Sequence, residues 1–68
     1  MIYPEVGKKI HTARKENRIT QFELSQMLGI TFSDMSRLEH GHRLPTSEEV
    51  LKLEKILDIK IEAKESAE

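Results

Sequence analysis

The chain has no cysteine and no tryptophan. Without thiols there is no disulfide framework and no thiolate metal site. Aromatics amount to one tyrosine and two phenylalanines, so the core must be aliphatic and compact, with no room for a large pocket. No apolar run approaches the roughly 18 residues needed to span a bilayer, and the opening MIYPEVGKK lacks the features of a secretory leader. The expectation is a cytoplasmic protein. Charge of one sign is also missing. The net charge is −1, which by itself speaks against a polyanion partner. The distribution is less even: residues 1–45 carry seven Lys/Arg against five Asp/Glu, whereas residues 46–68 carry four against seven. A polyanion would therefore meet the first two-thirds of the chain.

What the 68 residues do contain is helix punctuation. Pro4 suits a first helical turn, where its missing N–H is no loss. Val6, Ile10 and Ala13 then share one face of a helix running from about Pro4 to Asn17. Thr20-x-x-Glu23 and Thr46-x-x-Glu49 are capping boxes, and Thr31-x-x-Asp34 is a shorter-armed version. They predict helices over about 21–28, 32–40 and 47–57. Gly29 and Gly41 fall where the second and third must stop. The expected core adds Leu24, Leu28, Met35, Leu38, Val50, Leu53 and Leu57.

After Leu57 the period changes. Ile59, Ile61 and Ala63 alternate with Lys60, Glu62 and Lys64, the pattern of a half-exposed strand. A continuation of helix four and a disordered segment are the alternatives, and KESAE reads as a frayed tail. The organisation expected is one helical domain over 1–57 and a strand or tail over 58–68.

Helices two and three are joined only by Gly29-Ile30-Thr31. So short a connection forces a steep crossing and leaves one helix protruding. Ser25 would lie at the crossing, with Ile30, Met35 and Leu38 anchoring the third helix from beneath. Phe32, Ser33, Ser36 and Arg37 would then point outward. A helix of this kind fits the DNA major groove.

The stretch ARKENRITQFELSQMLGITFSDMSRLEHGHRLP resembles the lambda repressor/Cro-like (Xre) helix-turn-helix proteins, and the likeness extends over residues 6–57. It implies a mainly α, four-helix domain that binds double-stranded operator DNA as a homodimer and regulates transcription, most simply as a repressor. It also implies roles. Gln21 and Thr31 match phosphate-contacting positions at helix N-termini, Phe32 and Ser33 match the first base-reading positions, and Arg37 matches another one turn on. Ser36 matches a serine near the sugar-phosphate or a base edge. His40, His42 and Arg43 match the segment that follows the DNA backbone. Arg14 and Glu39 match a structural ion pair between helix one and the recognition helix.

Two departures from the family pattern stand out. Phe32 replaces a polar base-reading residue; it cannot hydrogen-bond a base but can meet a thymine methyl. Phe22 either staples Ile19 or belongs to a protein contact surface. Other patterns carry less. His40-Gly41-His42 has no third ligand at a suitable spacing, so no metal is expected. Lys8, Lys9, Lys15 and Arg18 form a basic face that is either merely solvated or flanks DNA. No spacing of Ser, His and Asp suggests a nucleophilic site, and neither catalysis nor a cofactor is expected. The segment ILDIKIEAKE resembles the HipB- and HigA-type antitoxins, in which a short strand follows helix four and, in the HipB type, pairs across the dimer. In that reading Ile59 and Ile61 serve dimerisation and a cognate toxin is a partner. An autonomous repressor, an antitoxin, and a protein-interaction module without DNA binding are the three functional classes left open.

Overall fold

Four short helices each bury one stripe in the computed structural model, which describes residues 4–66. They are α1 (Pro4–Glu16), α2 (Gln21–Leu28), α3 (Phe32–Glu39) and α4 (Ser47–Leu57), followed by a 3-10 turn at Ala63–Glu65. The threonines act as their spacing predicts. Thr20 and Thr46 each accept from the backbone N–H of Glu23 and Glu49, whose side chains reach back to the threonine N–H. Thr31 accepts from Asp34 N–H without the reciprocal bond. Each cap contributes about 1 kcal/mol by satisfying a first-turn donor.

The helix ends share a second device. Gly29 N–H donates to Gln26 O and Ile30 N–H to Ser25 O; Gly41 N–H donates to Leu38 O and His42 N–H to Arg37 O. Both are Schellman closures, with the glycines at φ 72 and 78. α1 ends in the same way, but its left-handed residue is Arg18, at φ 58, with Arg18 and Ile19 donating to Lys15 O and Arg14 O. Three closures in a row keep the connections short, and α1 and α2 each pack against both α3 and α4.

The core is Val6, Ile10, Ala13, Leu24, Leu28, Met35, Leu38, Leu53, Leu57 and Ile61, with Ile19, Ile30, Leu44, Val50, Ile56 and Ile59 packed against it. Val50, expected in the core, is only half-buried. Ser25 is buried, its hydroxyl donating to Phe22 O at 2.7 Å. The backbones of α1 and the end of α3 approach closely at Gly7. A Cβ added at Gly7 would stand 2.6 Å from Glu39 O and 2.7 Å from Leu38 O.

The segment after α4 departs from expectation. Residues 59–62 form no strand, and none occurs among the described residues. The alternation of Ile59 and Ile61 is satisfied in another way: both side chains turn onto the chain's own helices, and Ile61 is left only 5% exposed. Two of the backbone groups a ladder could use are already engaged. Ile61 N–H donates to Glu54 Oε2 at 2.9 Å, and Lys60 O accepts from Lys9 Nζ at 2.9 Å. These two groups point to opposite edges of one peptide unit, so a ribbon between subunits would compete with one of the bonds whichever edge it used. Nor do residues 64–66 fray, because Glu65 closes the 3-10 turn and pairs with Lys9 at 2.9 Å. Met1–Tyr3, Ala67 and Glu68, and the side chains of Pro4 and Ala63, lie outside the described residues. α3 ends at Glu39, with His40 as its cap.

Candidate nucleic-acid interface

α3 is divided lengthwise. Met35 and Leu38 are fully buried on one side, while Phe32 is 52% exposed and Ser33 and Arg37 are exposed on the other. Ser36 is half-buried at the margin. Helical spacing turns 33, 36 and 37 away from the face that 35 and 38 share, while Phe32, three residues before Met35, flanks that face. The structure thus brings the four expected base-reading residues onto one surface.

Arg37 is not loose on that surface. Its NH1 donates to Asp34 Oδ1 at 3.1 Å, one turn earlier. Sequence reading treated Asp34 only as a cap partner, although its i,i+3 spacing to Arg37 is visible in the sequence. The same Oδ1 lies 4.0 Å from Arg43 Nε.

Arg43, matched by resemblance to the DNA backbone, is held from behind. Its guanidinium grips Glu49 with two bonds of 2.9 and 3.0 Å and also donates to Leu44 O at 3.1 Å. The Glu49 partnership raises the pKa of Arg43 above its ordinary value. Burial pushes Glu49 up, but the Arg43 guanidinium and Thr46 N–H outweigh it and hold the carboxyl below its usual range. The loop after α3 is therefore clamped to the start of α4. Nothing in the sequence marked this pair beyond the role of Glu49 in its capping box.

A second clasp lies behind α2. Arg14 Nε donates to Glu39 Oε2 at 2.6 Å, and Glu39 Oε1 faces His11 Nδ1 at 2.9 Å and Gln21 Nε2 at 3.0 Å. Arg14 also donates to Ile19 O at 2.8 Å, securing the turn into α2. The Glu39 side chain is 2% exposed. Burial raises its pKa, and the hydrogen bonds from Arg14, His11 and Gln21 together more than reverse that, leaving it lowered. Gln21 thus begins α2 with its carboxamide already aimed by α3, beside N–H groups that a phosphate oxygen can approach.

Thr31 is exposed, its hydroxyl engaged by Asp34 N–H at 3.0 Å. His40 Nδ1 lies 2.8 Å from Ser36 O, an atom that only accepts, so this nitrogen carries a proton here. The His40 and His42 rings stack at 6.3 Å. Among the described residues no three His, Cys, Asp or Glu side chains gather to hold a metal ion, and no helix is long and apolar enough to cross a membrane. Of the basic face, Lys9 is tied to Glu65 and Lys60, while Lys8, Lys15 and Arg18 are exposed. Phe22 stays 58% exposed.

Comparison with known proteins agrees with this geometry. The helix-turn-helix family model matches residues 10–64, which takes in all of α2, α3 and α4. No curated protein matches the chain. With α2 bracing a half-exposed α3 across a three-residue turn, and with most of its length matched, the chain belongs to the Cro/C1-type, Xre-like helix-turn-helix family of DNA-binding regulators.

Proposed function

We propose that the protein is a sequence-specific transcriptional repressor that binds operator DNA as a homodimer, with α3 in the major groove. The observation that carries this reading is the division of α3: one side is locked into the core by Met35 and Leu38, and the other offers Phe32, Ser33, Ser36 and Arg37. Arg37 reads a guanine through two donors, Ser33 contacts a neighbouring base edge, and Phe32 meets a thymine methyl. Gln21, Thr31, His40 and His42 lie along the phosphates and fix register without specifying sequence. Two copies of α3 read half-sites about one helical turn, roughly 34 Å, apart.

Few cations are available per subunit, since Arg14, Arg43 and Lys9 are held by carboxylates. Three or four phosphates neutralised per subunit give a dimer a salt slope near −6, from roughly −0.9 per phosphate. The test is a gel-shift titration against the DNA upstream of the protein's own gene, repeated over a range of salt. Arg37→Ala should cost about 1–3 kcal/mol and relax preference at one base pair per half-site. Gln21→Ala should weaken operator and random DNA alike. Absence of duplex binding, or binding indifferent to salt, would sink the reading and favour a protein-interaction module. The antitoxin reading rested on a strand after α4, and without that strand no observation favours it over an autonomous repressor.

A further inference from the structure

We infer that Asp34 is a positioning residue for base recognition: its carboxylate holds the Arg37 guanidinium in one orientation on the exposed face of α3 and thereby sets the preference at the base pair Arg37 reads. The inference rests on the DNA-binding reading above and names a residue that reading did not use.

The argument begins with flexibility. A lone arginine on an exposed helix face samples many rotamers, and that freedom is lost when it docks on a base. Asp34 removes part of it beforehand. One turn separates the two residues, and Oδ1 takes a single bond from Arg37 NH1. Arginine has five N–H donors in a rigid fork. One bond to Asp34 leaves four, enough for the paired donors a guanine edge requires. The carboxylate orients the fork without occupying it.

Asp34 is itself held in place. Its backbone N–H is fixed by Thr31 Oγ1 at 3.0 Å. On its other side stands Arg43, whose Nε is 4.0 Å from the same Oδ1 and whose guanidinium is doubly bonded to Glu49. A row of alternating charge, Glu49–Arg43–Asp34–Arg37, therefore runs from the start of α4 to the exposed face of α3. The three groups behind Arg37 are partly buried, while its own side chain is 59% exposed. Support of this kind keeps a recognition group within the narrow geometry that readout demands. As an isolated surface pair, Asp34–Arg37 contributes little to stability. Its effect is on orientation.

A negative charge on a DNA-facing helix also repels phosphate. Removing it should strengthen binding to random sequence while weakening discrimination, a pair of changes that a merely structural role would not produce. The experiment measures affinities of full-length wild type, Asp34→Ala, Asp34→Glu, Arg37→Ala and the Asp34→Ala/Arg37→Ala double variant. Each is tested against the operator, a set with every base pair replaced singly, and random duplex. Arg37→Ala should lose about tenfold discrimination at one base pair, the lower part of the range for a paired donor contact. Asp34→Ala should lose roughly threefold or more at that same base pair and bind random duplex no more weakly than wild type. The double variant should discriminate no worse than Arg37→Ala, and Asp34→Glu should recover part of the loss. If Asp34→Ala keeps wild-type discrimination at every position, or relaxes it at a base pair Arg37 does not read, the inference is overturned. So too if all sequences weaken equally and Asp34→Glu restores nothing, which would mark Asp34 as a cap residue only. Failure of wild type to prefer any sequence would instead overturn the DNA-binding reading itself.

Discussion

Replacing Gly7 by alanine sets two effects of opposite sign against each other. Glycine inside a helix costs about 0.8–1.0 kcal/mol relative to alanine, so propensity alone predicts a more stable α1. Against this stands the approach of α3. The new methyl would lie 2.6 Å from Glu39 O, 2.7 Å from Leu38 O and 3.0 Å from Glu39 C. All three are backbone atoms at the end of a helix and cannot rotate away as a side-chain tip would. Ordinary contact begins at 3.4 Å, so α1 and α3 must part by several tenths of an ångström at a seam that also holds Val6, Ile10 and the Arg14–Glu39 pair. Overpacking of this kind costs about 1–3 kcal/mol. The net expectation is a loss near 1 kcal/mol, a Tm lower by about 4–8 °C for a domain of this size. Thermal melting followed by circular dichroism reads this directly. Because the displacement falls on Leu38 and Glu39, operator affinity should also fall when measured well below the melting temperature. A Gly7→Ala protein that melts higher than wild type would show that the seam yields freely and that propensity decides.

Three further outcomes follow from the packing and charges. The Glu39 carboxyl is held below its ordinary 4.5 by Arg14, His11 and Gln21. Its contribution is therefore complete above about pH 4.5 and fades as pH falls through the lower folded value. Glu39→Gln should cost about 3 kcal/mol at neutral pH by leaving Arg14 unpaired, and the gap to wild type in denaturant unfolding should narrow below pH 4.5; a gap that persists unchanged would refute the charge argument. Ile61→Ala should destabilise the domain by about 2 kcal/mol, at the low end for a buried isoleucine because of its place at the core's edge, and deletion of residues 58–68 should cost more; an unmoved urea midpoint would mean the segment is not part of the core. Arg18→Gly should raise stability by roughly 0.5–1 kcal/mol by relieving a left-handed arginine, and a lower Tm would show that the Arg18 side chain holds something in place.

Local signals carried most of the architecture, and the failures came where contacts cross the chain. Each capping threonine names its partner three residues on, so the starts of α2, α3 and α4 were legible to the residue, and Gly29 and Gly41 marked two ends. The end of α1 was less sharp because arginine stands where glycine would announce it. Phe32, Ser33, Ser36 and Arg37 could be placed on one face by helical spacing alone. Gly7 was silent, since an interior glycine acquires meaning only when another backbone is known to pass within reach. Arg43–Glu49 and Lys9–Glu65 were equally hidden, the one spanning a loop and the other linking residues far apart along the chain. The alternation at Ile59 and Ile61 was read correctly as burial of one face. Its translation into a strand failed because the partner turned out to be Glu54 and the core, reached by side chains, and not a neighbouring backbone.

The seating of Ile61 in the hydrophobic core also has a consequence in time. A chain emerging from the ribosome makes α1, α2 and α3 first, and these contain the whole recognition surface. At that stage α4, Ile61 and the Glu65 partner of Lys9 are still missing, and the apolar stripes of α1 and α3 have too little to cover them. The nascent segment can form its helices but cannot close its core until residues past 61 have cleared the exit tunnel. Messenger truncated within the last few codons before that point would yield polypeptides that carry every DNA-facing residue and yet present them on an open, protease-sensitive scaffold.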